Sequence, residues 1–213
     1  MIMKKIFLMM AAALMLTACV ENQPLQSETV CQDASSVVTD VIMNRHSIRA
    51  YKDSALSREV VDAILECGIN APSGMNRQSY EIRVINSPAL LDSITAAVVH
   101  DNPKVGERPG FKNIFVNAPC VVFVANDTNY DLAKVDCGLL GQNIMLSAWS
   151  KGVGSCCLGM PVRMMKDSPS AQKYMDMLGF SAGFEFLYCI GLGYPDETPD
   201  AKPRSKEMIR YVE

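Results

Sequence analysis

The sequence predicts one globular domain of mixed helices and strands, set behind an export signal and a polar tether. Three observations predict it. The chain has 213 residues and 49% of them are apolar, enough for one sizeable core and too apolar for a disordered chain. Apolar residues recur at helical spacing in some stretches and alternate or run unbroken in others, between clear turn signals. No internal repeat and no composition break divides the domain in two.

The chain opens with the basic Met1-Ile2-Met3-Lys4-Lys5, followed by the apolar run Ile6 to Leu16. A bilayer-spanning helix needs roughly 20 residues, so this shorter run reads as an exported signal. Leu16-Thr17-Ala18-Cys19 resembles a bacterial lipobox, which predicts removal of residues 1–18, lipid on Cys19 and a protein anchored at the periplasmic or outer face of a membrane. An ordinary secretory signal ending near a cysteine is the alternative. The mature chain then has 213 − 18 = 195 residues, and losing Lys4 and Lys5 takes the formal charge from −3 to −3 − 2 = −5. Such a chain has no electrostatic footprint for nucleic acid. Collagen-like and polytopic membrane classes are excluded as well.

Residues 19–36 are polar and contain Pro24, which fits a tether, and residues 37–213 form the domain. Val37 to Arg45 begins a first helix. Ser57 is placed to cap a helix over Arg58 to Cys67, with Val60, Val61, Ile64 and Leu65 on one face and Gly68 as its stop. Tyr80 to Ile85 alternates as a strand, and Ser87-Pro88 opens another helix. His100 to Lys112, poor in apolar residues, reads as a mobile loop or lid, or as a plain surface connection. Cys120 to Ala125 is a buried strand. Asp131 to Ser150 is a helix apolar on nearly every side, which predicts burial in the centre of the fold or at a subunit interface. A short strand or turn over Val153 to Leu158, a helix over Met164 to Leu178 and a strand over Phe184 to Leu192 complete the domain.

Of eight cysteines, lipidation leaves 8 − 1 = 7, an odd number with no C-x-x-C among them. Several lie inside apolar runs, so most read as small buried hydrophobes. With only His46 and His100 as histidines, no spacing suits a structural metal. There is no G-x-S-x-G, H-E-x-x-H or Walker loop. Ser170-Ala171-Gln172-Lys173 matches S-x-x-K by chance, without its companion motifs, and Gly191-Leu192-Gly193 follows a strand without opening a helix.

Two cationic clusters remain. In an extended Arg45-His46-Ser47-Ile48-Arg49, alternate residues point the same way, so Arg45, Ser47 and Arg49 offer two guanidinium groups and a hydroxyl to one anion. Lys202-Pro203-Arg204 again sets two cations two residues apart. Converging cations suit a phosphate monoester, although each cluster alone reads as a solvated basic patch. Between them, Ala71-Pro72-Ser73-Gly74-Met75-Asn76-Arg77-Gln78 is a tight turn with uncharged hydrogen-bonding groups: a reader of a flat polar heterocycle, or an ordinary connection. Gly152 to Gly159 is glycine-rich and able to expose backbone amides.

Together these segments resemble the bacterial nitroreductase family of FMN enzymes. Arg45 to Tyr51 is similar to its opening block, and Ala71 to Gln78 to its A-P-S-G-x-N-x-Q turn. Asp136-Cys137-Gly138 with Gln142-Asn143 and Gly152 to Ser155 matches its buried helix and the glycines after it. Gly191 to Pro195 with Lys202-Pro203-Arg204 is similar to its C-terminal block. The resemblance covers about Val41 to Arg204. It implies an α+β homodimer, a central β-sheet flanked by helices around a buried central helix, with two FMN sites each built from both chains. On that model Arg45, Ser47 and Arg49, with His46 in the same segment, meet the phosphate end together with Lys202 and Arg204. Pro72, Ser73, Gly74, Asn76 and Gln78 reach the flavin from the partner chain, and the backbone at Leu158 and Gly159 lies near its N5. The flavin carries the hydride chemistry, so no catalytic acid or base is expected. NAD(P)H is the family's usual donor, and nitroaromatics or quinones its acceptors.

Two departures stand out. Ser79-Tyr80 replaces the family's usual P-W after Gln78, and an exported protein sits where nicotinamide cofactors are scarce. The rivals are reductive dehalogenation on the same fold, for which Lys104, Glu107 and Arg108 would serve a charged lid, and a flavin-binding lipoprotein without turnover.

Overall fold

The computed structural model describes residues 27–213, with side chains from Ser36 onward. The predicted signal, Cys19 and the first part of the tether lie outside the described residues. The described residues fall into two units, one ending at Val38 and the other spanning Thr39–Glu213. The sheet and every helix after the first belong to the second.

Among the described residues the architecture is α+β: six α-helices and one four-stranded sheet. In chain order these are α1 (Ser27–Asn44), α2 (Arg58–Ile69), β1 (Tyr80–Ile85), α3 (Pro88–Asp101) and β2 (Cys120–Asp127). Next come α4 (Ala133–Ser150), β3 (Gly154–Leu158), α5 (Met160–Lys166), α6 (Gln172–Leu178) and β4 (Phe184–Gly193). The strand order is β1-β2-β4-β3, and every neighbouring pair is antiparallel.

The unbroken apolar run of β2 follows from its central place. Successive side chains point to opposite faces, and here both faces are covered. Cys120, Val122 and Val124 pack with Val61 and Ile64 of α2 and Leu140 and Ile144 of α4. Val121 and Phe123 pack on the other face with Leu91 and Ile94 of α3 and Met165 of α5. The Ser57 and Ser87 side chains cap α2 and α3 by accepting from the Val60 and Leu90 amides, as their positions in the sequence predict.

Four elements differ from the sequence reading. The first helix begins at Ser27, not Val37. Gly68 does not end α2 but lies buried within it, where a Cβ would come within 2.5 Å of Ile144 Cγ1; the glycine lets α2 and α4 approach closely. The helix expected over Met164 to Leu178 is broken, because Ser168-Pro169 starts a separate 3-10 turn over Pro169–Ala171. Ser170 of the S-x-x-K match lies in that turn, its hydroxyl donating to Asp101 at 2.8 Å. Finally, residues 100–112 are not one irregular loop. α3 runs through Asp101, a 3-10 turn follows over Pro103–Glu107, and Val105 is buried. The Asn113 and Asn117 side chains then accept from the amides of Lys112, Phe115 and Asn117, which ties down the stretch before β2.

α4 is buried on one side only. Asp136, Cys137, Leu140, Ile144 and Ala148 are buried beneath it. On the opposite side Val135 and Leu139 are 56% and 41% exposed, and a Cβ added at Gly138 would meet nothing.

Candidate functional site

The first cationic segment lies along the free edge of β3. The Ile48 amide donates to the Ser155 carbonyl at 3.0 Å, and Ser47 bridges Ser155 in parallel. Ile48 is buried in the core, which by strand alternation sends Ser47 and Arg49 the other way. The Tyr51 hydroxyl donates back to the Ile48 carbonyl at 2.6 Å, and burial holds that phenol protonated far above its usual range. His46 stands edge-on to Trp149 near the end of α4, with ring centroids 6.0 Å apart.

Backbone pairing delivers the second cationic segment to the same place. Lys52 N–H donates to the Tyr194 carbonyl, and Asp196 N–H donates to the Ala50 carbonyl, each at 2.9 Å. The Glu197 carboxylate accepts from the Ala50 amide at 3.0 Å and from the Arg49 amide. The chain after β4 is thereby laid against residues 49–52, and one cleft is lined by Arg45, His46, Ser47, Arg49, Lys202 and Arg204, together with Pro199 and Asp200. Four cationic residues face one carboxylate there. Arg45 Nε is buried without a hydrogen-bond partner, as is the Ser155 hydroxyl on the adjoining strand. A buried donor left unpaired is costly, and an anion in the cleft is the kind of group that would satisfy it.

Leu158, half-buried, ends β3, and the exposed Gly159 precedes α5. Along the strand, Leu158 is 158 − 155 = 3 residues from Ser155, on the order of 10 Å at the strand rise. Cys157, next to Leu158, is an exposed thiol, while Cys120, Cys137, Cys156 and Cys189 are buried.

The turn after α2 is elsewhere. Gly74–Asn76 is a 3-10 turn in which Met75 and Asn76 have φ of 54° and 55°, and Gln78 follows at 49°. Its anchor is Asp136, in the first turn of α4 and 2% exposed. One Asp136 oxygen accepts from the Gly74 amide at 3.0 Å and the other from the Ser79 hydroxyl at 2.6 Å. The Ser73 hydroxyl accepts from the Gln78 amide at 3.0 Å, and Arg77 lies over the Tyr130 ring, 4.5 Å from its centroid.

In one chain, then, Arg45, His46, Ser47, Arg49, Lys202 and Arg204 meet, while Pro72, Ser73, Gly74, Asn76 and Gln78 do not line their cleft. From Asp136 to Trp149 is 149 − 136 = 13 residues of α4, about 20 Å of helix. The turn sits at one end of that span and His46 at the other. Glu197, Tyr51 and Asp136 escaped the sequence reading as contributors. Glu197 and Asp136 act through contacts 148 and 62 residues apart, and no local pattern marks such pairs.

An α+β sheet with a cationic cleft at its open edge defines a fold of a recognised class. The nitroreductase family model matches residues 42–194, and the chain belongs to that family. Among solved structures it is similar to a nitroreductase with bound FMN from Desulfitobacterium hafniense DCB-2, at 33% identity and a TM-score of 0.73, covering 83% of this chain and 98% of that one. A nitroreductase with bound FMN from Bacteroides fragilis NCTC 9343 is similar at 27% identity and a TM-score of 0.70, with the same coverage. An NADPH-dependent oxidoreductase of Staphylococcus haemolyticus is 26% identical over 191 residues, 84% of this chain and 72% of that protein.

Proposed function

We propose that the protein is an FMN-dependent oxidoreductase that moves a hydride from a donor to an electron-poor acceptor such as a nitroaromatic or a quinone. The observation that carries this reading is the meeting of two cationic segments, far apart in sequence, around the unpartnered Arg45 Nε. FMN, when bound, supplies the hydride chemistry. Arg45, Ser47, Arg49, Lys202 and Arg204 hold the phosphate, with His46 steadied against Trp149 beside them. Leu158, at the end of the edge strand, and Gly159, just beyond it, stand at a distance from Ser155 that suits the sugar-alcohol chain joining phosphate to ring.

The chain works as a homodimer in which Pro72, Ser73, Gly74, Asn76 and Gln78 reach the partner's flavin. Support comes from the α4 span between turn and cleft, and from the uncovered apolar side of α4. NAD(P)H is the family-typical donor. Lipid on Cys19 anchors the protein at an exported face, with residues 19–36 as tether and 37–213 as the flavin domain; Cys19→Ser then abolishes lipid labelling and membrane fractionation. Lys104, Glu107 and Arg108, the charged-lid candidates for dehalogenation, do not line the cationic cleft.

The test uses the fragment from Val20 onward. It purifies yellow or takes up added FMN, is bleached anaerobically by NADH, NADPH or dithionite, and regains its colour with a nitroaromatic or quinone. Protein that stays colourless with excess FMN sinks the reading. Bound flavin that dithionite reduces but no acceptor reoxidises favours a flavin-binding lipoprotein instead.

A further inference from the structure

We infer that Asp136 is a positioning residue: it holds the Gly74–Ser79 turn in the shape that presents Asn76 and Gln78 to the flavin ring, an inference resting on the FMN site proposed above. The geometry is specific. A buried carboxylate grips both ends of one short turn, taking the Gly74 amide with one oxygen and the Ser79 hydroxyl with the other. Between these grips Met75, Asn76 and Gln78 all have positive φ, where a Cβ crowds the following carbonyl and glycine is the usual choice.

A plain connection from α2 to β1 would relax this crowding with glycines. Here the residues carry side chains, and Met75, Asn76, Arg77 and Gln78 are exposed while Ser79 and Asp136 are buried. The anchors are underneath and the display is on top. Left-handed non-glycine residues persist where the surroundings over-determine them, which is common at ligand clamps. Gly74 supports the same platform: a Cβ there would run into the Tyr130 hydroxyl, and Arg77 covers the Tyr130 ring. Asp136 sits at the start of α4, where the helix dipole favours a negative charge, so the grip is held by the domain's central helix.

Positioning and plain stabilisation separate experimentally. In the flavin-free protein, Asp136→Ala should speed hydrogen exchange of the Gly74–Gln78 amides ~tenfold or more while β2 and β4 keep their protection. In the loaded protein the variant should weaken FMN and riboflavin by the same factor, ~tenfold or more, since the lost contacts are to the ring and not the phosphate. Asp136→Asn keeps an acceptor for the Gly74 amide and a partner for the Ser79 hydroxyl, so it should stay within ~threefold of wild type. In mixed dimers Asp136→Ala should restore activity when paired with Arg204→Ala but not with Asn76→Ala, because it damages the same half-site as Asn76→Ala.

Should Asp136→Ala fail to fold, Ser79→Ala removes one grip and should give the same pattern at smaller amplitude. Unchanged exchange in the turn, exchange raised across the whole sheet, or a loss confined to FMN overturns the inference. If the wild type binds no flavin, the FMN reading and the presentation of Asn76 and Gln78 to it both fall. The exchange data from the flavin-free protein then show whether Asp136 grips the turn at all.

Discussion

Ile48 and Gly154 are in closest packing: a Cβ placed on Gly154 would lie 2.8 Å from Ile48 Cγ1, 2.9 Å from its Cβ and 3.0 Å from its Cγ2. Ile48 is flanked by Ser47 and Arg49, so the spacing between these two residues sets how near the cationic segment lies to the sheet edge. Gly154→Ala must push Ile48 and its neighbours outward. Overpacking of this kind costs about 1–3 kcal/mol. We expect a lower urea midpoint and weaker FMN binding together; a variant with unchanged FMN affinity would show that the cleft does not depend on this contact.

Arg204→Ala separates phosphate from ring. Removing one charge-assisted contact costs about 1.5–3 kcal/mol, so FMN should bind at least ~tenfold more weakly. Riboflavin, which lacks the phosphate, should bind nearly as before. Fluorescence titration with both ligands decides it, and equal losses would remove the phosphate from the Lys202–Arg204 side of the cleft.

The separation of turn and cleft along α4 leads to a test in trans. Arg204→Ala and Asn76→Ala, each inactive alone, are unfolded together and refolded. Random pairing makes half the dimers mixed, and each of those has one intact site, so about one quarter of wild-type activity should return. Exchanged dimers with no activity would put both residues in the same site.

Stability should fall on the alkaline side. Burial pushes the Cys120 thiol up to about 12, and burial with the neighbouring Asp136 does the same to Cys137. Both are raised above the ordinary thiol value of 9.0, so the unfolded chain ionises first. Their contribution is complete below about pH 9 and is lost as pH rises toward 12. By pH 10 the loss is about 1 kcal/mol for each thiol. Urea midpoints at pH 7 and pH 10 measure it, and a Cys120→Ala, Cys137→Ala double variant should show a flatter decline. An equal decline would assign the effect to other groups.

Elements that answer to local chemistry were legible in the sequence. Ser57 and Ser87 announce their helices, and the apolar runs at Cys120 and Phe184 announce the central strands. The two cationic clusters were legible as candidates, but only the fold joins them, through Ala50–Asp196 and Lys52–Tyr194 pairing. Gly68 misled because a glycine near a helix end usually stops it, whereas here Ile144 needs the space. α4 left two readings open, a core helix or an interface helix: its apolar residues point both toward the sheet and away from it, and periodicity cannot tell a core from an interface. The Asp136 grip had no local signal, since a carboxylate in a helix's first turn is ordinary.

The half-uncovered α4 also bears on how the protein behaves when dilute. In the proposed homodimer Val135 and Leu139 gain shelter from the second copy, so a share of the fold's stability would be governed by mass action and not by the chain alone. Heating at micromolar and at nanomolar protein should then give different midpoints. Were the chain tethered through Cys19 as proposed, this would matter in two dimensions: crowding on the surface, more than abundance in the cell, would decide how many complete sites exist.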